Sequence, residues 1–121
     1  MTRSGTPSDD GPSLILRVLP EDGATGTLRD SPVLTRLSRR VDARSLDATT
    51  FRVEDPEGPV PARLGTSPDG LVVVWWPERL LVPGVEHRVV AEGLRDAQGR
   101  LVPTHESRFV PCAFSRMDLG E

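Results

Sequence analysis

The sequence predicts an all-β fold, a sandwich of about seven short strands with one short helical turn. Three observations carry that expectation. Runs with apolar residues at alternate positions recur along the 121 residues, separated by turn formers about every 8 to 12 positions. The chain holds 12 Pro and 11 Gly, a composition poor for long helices and suited to many turns. Leu71-Val72-Val73-Val74-Trp75-Trp76, opened by Pro68-Asp69-Gly70 and closed by Pro77, is β-branched and aromatic and too short for an independent helix, so it reads as the core strand.

The remaining elements follow in chain order. Residues 1–13 (MTRSGTPSDDGPS) read as a polar, flexible leader with almost nothing to bury. Leu14 to Leu19 predicts a strand with Leu14, Leu16 and Val18 on one face and Ile15, Arg17 and Leu19 on the other. Pro20-Glu21-Asp22-Gly23 ends it, and a turn-rich crossing leads to Val33–Leu37, whose Val33, Thr35 and Leu37 share a face. Asp42 is placed to cap one helical turn that tucks Leu46 against the core. Thr49–Glu54 predicts a strand with Phe51 and Val53 inward, closed by Asp55-Pro56-Glu57-Gly58.

Val60–Leu64 carries Pro59 and Pro61, and proline has no amide to donate, so this strand is expected at a sheet edge. Pro77–Gly84 reads as a loop whose leucines plug the end of the core. Glu86–Glu92 predicts a strand with His87, Val89 and Ala91 on one face, and Ser107–Val110 predicts the last. One domain spanning 14–111 is expected, large enough to bury most of its apolar surface without staples, followed by a tail over 112–121.

Composition narrows the function classes. All 15 basic residues are Arg and the net charge is -3, with no basic stripe of the kind that nucleic acid requires. No run reaches the roughly 18 apolar residues of a membrane-spanning helix, and the N-terminal residues lack the apolar segment of a secretory signal. A single Cys112 excludes an internal disulfide.

Three segments in register resemble the bacterial Ig-like domain of the SbsA type. They are Pro20-Glu21-Asp22-Gly23-Ala24-Thr25-Gly26 leading to Ser31-Pro32-Val33 and Leu37-Ser38; Asp42 to Leu46 leading to Thr49-Thr50-Phe51-Arg52-Val53; and Leu80, Val82-Pro83-Gly84, His87 and Val89 leading to Gly93-Leu94-Arg95-Asp96-Ala97-Gln98-Gly99. Leu37 stands where that family usually has Phe, Thr35 where it has an aliphatic residue and His87 where it has Tyr. The resemblance implies an Ig-like Greek-key β-sandwich, used as a spacer or adhesive unit of bacterial surface and secreted proteins and commonly without an active site. It favours an extracytoplasmic or envelope location.

No catalytic residue is nominated. Ser38, Ser45 and Ser107 lack nucleophile-elbow glycines. Asp22, Asp30, Asp69 and Asp96 lie at turns, where a carboxylate satisfies backbone amides, and no Asp-x-Asp-x-Asp run builds a calcium loop. His87 and His105 would need carboxylates from elsewhere to hold a metal. Copper-binding relatives rely on clustered His or Met, whereas Met1 and Met117 lie in opposite tails. Cys112, beside Pro111 and with no neighbouring His, reads as inert. No cofactor is expected.

The informative feature is the outward face of the core strand. With Leu71, Val73 and Trp75 inward, Val72, Val74 and Trp76 form an outward apolar row that is covered either by the tail residues Phe114, Met117 and Leu119 or by a partner. The expectation is therefore a non-catalytic structural or protein-interaction module. The alternatives are a carbohydrate- or ligand-binding accessory module stacking a sugar on Trp76, and a self-assembling capsid or filament component.

Overall fold

The computed structural model describes residues 13–115 and shows two packed antiparallel-rich sheets. The strands are β1 (Ile15–Leu19), β2 (Ala24–Thr27), β3 (Val33–Leu37), β4 (Phe51–Asp55), β5 (Gly58–Pro59), β6 (Ala62–Thr66), β7 (Val72–Pro77), β8 (His87–Ala91) and β9 (His105–Pro111). One sheet has the order β1-β3-β7-β6 and the other β2-β9-β8-β4-β5. The first is the A-B-E-D sheet of an immunoglobulin-type sandwich, and β9, β8 and β4 take the places of its G, F and C strands.

Alternation along the strands builds the core. Val33, Thr35 and Leu37 of β3, Val73 and Trp75 of β7, Phe51 and Val53 of β4, and His87, Val89 and Ala91 of β8 are all buried. β7 lies between β3 and β6, with Val33 opposite Trp75 and Leu64 opposite Trp75 on its other side. The expected central position and facing of this strand are both observed.

Four features differ from the sequence reading. In β1 the register shifts between Ile15 and Arg17, so that Ile15 pairs with Leu37 but Arg17 with Arg36. This bulge inserts a residue and breaks strict alternation: Ile15 and Val18 pack inward, whereas Leu14 and Leu16 are exposed. Two strands were not anticipated. β2 runs parallel to β9 after the cis Leu19–Pro20 bond, and β5 is a two-residue rung on β4. In the Pro77–Gly84 loop only Leu81 plugs the core, with Leu80 and Val82 left exposed, because the Leu81 amide and carbonyl are both tied to Arg29. Finally, the fold includes Ser13, which is buried with its amide on Asp96 and its hydroxyl on the Arg39 carbonyl. Ser115 is also buried.

The helical turn is a 3-10 turn over Ala43–Ser45, capped as expected by the Asp42 carboxylate, which accepts from the Arg44 amide.

Candidate interaction surface

Sheet pairing decides which side chains share the outer face of the four-stranded sheet, since residues directly opposite one another point to the same side. A row runs across all four strands as Leu19, Leu34, Val74 and Gly65. A second row is Arg17, Arg36 and Val72, and a third joins Trp76 to Arg63. Val72 and Val74 are half-buried by these neighbours, while Trp76 is 40% exposed and Leu19 and Leu34 each 37%. Leu19, Leu34 and Val72, with Arg17 and Arg36, line a depression of about 210 Å³.

The indole packs over Gly65: a Cβ at that position would lie 3.5 Å from the Trp76 ring, in ordinary van der Waals contact. The Arg63 guanidinium sits 5.8 Å from the Trp76 ring centroid, a cation-π arrangement that holds the ring in place. Arg17 is paired with Glu21 at 2.8 Å. Arg36 and Arg63 form no ion pair among the described residues.

The outer face of the other sheet is built on opposite lines. Glu54 accepts from Arg88 at 2.6 Å and Arg52 at 2.7 Å; Arg88 reaches Glu106 at 3.1 Å, and Arg52 reaches Glu92 at 3.3 Å. The Arg88 and then the Arg52 hydrogen bond hold the Glu54 carboxyl below its ordinary range. Cross-strand charges here satisfy one another, and Val90 lies buried beneath them. One face of the sandwich is closed by paired charge and the other is left apolar with arginines at its margin.

Of the residues nominated from sequence, the structure brings Val72, Val74 and Trp76 together on this face. Phe114 is anchored just beyond β2, where its carbonyl accepts from the Arg29 amide, and the residue is 55% exposed. Met117 and Leu119 lie outside the described residues. The reading missed Leu19, Leu34 and the three arginines. Alternation in β3 did mark Leu34 and Arg36 as outward, but only strand pairing sets them beside Val72 and Val74.

Among the polar residues singled out from sequence, His87, Asp22, Asp69 and Asp96 have structural partners. His87 is buried, stacked on Phe109 with ring centroids 5.4 Å apart, and its Nδ1–H donates to the Val85 carbonyl at 3.0 Å. His105 lies opposite Ala91, four positions along β8 from His87 and so roughly 13 Å away at strand rise. That register also sets His87 opposite Phe109, so the two imidazoles sit at opposite ends of the β8–β9 ladder. No group of three or more metal-ligating His, Cys, Asp or Glu side chains occurs among the described residues.

Asp22 accepts from the Arg108 amide, and Asp69 from the Ser67 hydroxyl and the Leu71 amide. Asp96 accepts from the amides of Ser13, Gln98 and Arg100 at 2.9–3.1 Å. Burial alone would raise the Asp96 carboxyl, but the Arg100, Ser13 and Gln98 amides outweigh it and hold the group below its ordinary value.

Along the open side of the sandwich, between β6 and β4, a groove of about 330 Å³ is floored by Phe51, Val60, Leu64 and Trp75.

No protein-family model matches the sequence, and no curated protein matches it. Solved structures share the fold. The N-terminal part of the bacterial S-layer protein SbsC superposes with a TM-score of 0.66 at 18% identity, covering 87% of this chain and 24% of that one. The copper resistance protein PcoC from Escherichia coli gives 0.65 at 12% identity, covering 80% of this chain and 97% of that one. An L,D-transpeptidase from Mycobacterium smegmatis gives 0.61 at 17% identity, covering 84% and 41%. The chain thus spans less than half of the S-layer and transpeptidase chains, and the likeness at these identities is one of fold.

Proposed function

We propose that this chain is a non-catalytic Ig-like module of a bacterial envelope or surface assembly, and that it binds a protein partner through the outer face of its four-stranded sheet. The observation that carries the reading is the contrast between the two outer faces. Paired charge closes one, while the other leaves Leu19, Leu34, Val74 and Trp76 accessible in a continuous apolar area. An area of this kind on a folded domain is a contact surface, and a tryptophan pinned by its neighbours is a favourable anchor because little side-chain entropy is lost on binding. Arg17, Arg36 and Arg63 at its margin fit a partner that brings carboxylates around an apolar centre. The occurrence of the same sandwich in an S-layer protein supports the envelope setting, as does the resemblance to the SbsA-type domain.

The test is selection of displayed peptides on the chain, with counter-selection on Trp76→Ser. Enriched peptides should combine aromatic or aliphatic residues with Asp or Glu, and should lose binding to Trp76→Ser while that variant keeps its far-UV circular dichroism. Peptides that bind both proteins equally, or no enrichment at all, would refute the assignment of this face.

A further inference from the structure

The edge strand β6 has free backbone groups with a symmetry of their own. In an antiparallel pair, alternate residues turn both N–H and C=O toward the neighbouring strand. The Ser67 amide donates to the Val72 carbonyl and the Glu78 amide to the Pro61 carbonyl, each at 2.9 Å. These bonds share a register with Arg63 opposite Trp76 and Gly65 opposite Val74, so the odd-numbered residues of β6 face β7. Ala62, Leu64 and Thr66 therefore direct their N–H and C=O groups away from the sheet, and these groups make no backbone bond among the described residues. The free stretch is bounded at both ends. The Val60 amide is bonded to the Val53 carbonyl of the other sheet at 2.8 Å, and Pro68 has no N–H.

We propose that this edge pairs with the same edge of a second copy of the chain, antiparallel about a two-fold axis at Leu64. An isologous contact must be self-complementary, and this one is. Leu64 meets Leu64, and Ala62 meets Thr66, with two backbone hydrogen bonds available to each residue pair. On the outer face the same register sets Arg63 of one copy opposite Gly65 of the other, the position on that face with no side chain to collide and the one against which the Trp76 ring lies. The two Arg63 side chains do not face each other. On the inner face the two Leu64 side chains meet beside the groove floored by Phe51, Val60 and Trp75.

Extent decides how strong the contact is. Three residues of edge bury well under the roughly 800 Å² per partner of a standard interface, so association is concentration-dependent and no obligate dimer forms. Because the two-fold contact is isologous and uses up the β6 edge of each copy, pairing through it closes at two copies. The inference rests on the backbone of β6 and does not depend on the partner proposed for the outer face.

The experiment is sedimentation velocity of the full chain from micromolar to millimolar concentration, beside Thr66→Pro and Thr66→Val. Thr66→Pro deletes an outward N–H and no bond to β7, whereas Thr66→Val keeps that N–H. The parent chain and Thr66→Val should shift toward a dimer as concentration rises, while Thr66→Pro should stay monomeric. A parent chain that sediments as a monomer throughout, or a folded Thr66→Pro that associates like the parent, overturns the proposal. Should Thr66→Pro fail to fold, amide exchange of the parent chain decides. Protection of Ala62, Leu64 and Thr66 must rise with concentration while Arg63 and Gly65 are protected throughout; amides at Ala62, Leu64 and Thr66 that stay fast at the highest concentration overturn it.

Discussion

Trp75 and Trp76 are neighbours in sequence on opposite faces of β7, and replacing each by alanine separates core from contact surface. A tryptophan carries about 150–250 Å² of buriable surface, worth about 4–6 kcal/mol at about 25 cal/mol per Å². Trp75 is 1% exposed, so Trp75→Ala forfeits nearly all of that and leaves a cavity in the sandwich; a loss of about 3–5 kcal/mol is expected. Trp76 is 40% exposed, which limits its area term to about 2–4 kcal/mol as an upper bound. Its removal opens no enclosed cavity, because the side chain lies at the surface, so about 1–2 kcal/mol is expected. The gap of about 2–3 kcal/mol corresponds to a separation of about 8–12 °C in thermal midpoint for a domain of this size. Thermal unfolding followed by far-UV circular dichroism measures it without relying on the indoles being removed. If Trp76→Ala cost as much as Trp75→Ala, the Trp76 ring would be an integral part of the core, and the outer face would lose its anchor.

Other substitutions probe the polar groups. Asp96→Ala leaves the amides of Ser13, Gln98 and Arg100 without their acceptor and should cost about 2–4 kcal/mol in urea unfolding, with Asp96→Asn, which keeps one acceptor oxygen, costing about half as much. The sign of the accompanying pH effect follows from the carboxyl being held below its ordinary 3.8. Its contribution is present above the unfolded-state pKa and is lost as pH falls through the folded-state value. Asp55 behaves alike: burial would raise it, but the Glu57 amide and Arg79 outweigh burial and lower it. The thermal midpoint of the parent chain should therefore fall on acidification below about pH 4, and Asp96→Asn should flatten that slope; an unchanged slope would remove Asp96 from the account. Thr35 is fully buried and its hydroxyl has no partner among the described residues, so Thr35→Val should raise stability by about 1 kcal/mol, and a lower midpoint would show that the hydroxyl is satisfied.

Strand positions and facings were legible wherever a run was strictly alternating and apolar. β3, β4, β7 and β8 were all read with the correct inward residues, because the pleat turns every second side chain to one side whatever the partner strand is. β1 was misread on its faces because a bulge between Ile15 and Arg17 depends on how β3 lies beside it. β2, Ala-Thr-Gly-Thr, was invisible because it has no apolar alternation, and its parallel pairing to β9 joins residues more than eighty positions apart. Of the candidate surface, Val72, Val74 and Trp76 were legible, and Leu19, Leu34, Arg36 and Arg63 became part of it only through strand order.

By itself the amino-acid order determined the local geometry of this protein: which segments extend, where they turn, and which side of each strand carries hydrocarbon. Those properties arise from steric preferences and a two-residue period that act within a few positions along the chain. Only the tertiary structure decided that β7 lies between β3 and β6, that the outward rows of four strands merge into one apolar face, and that β6 is left with a free edge. Those outcomes depend on which backbone hydrogen bonds are satisfied by distant segments, and a donor at Ala62 or Thr66 is identical in sequence whether its acceptor lies in a neighbouring strand or has yet to arrive.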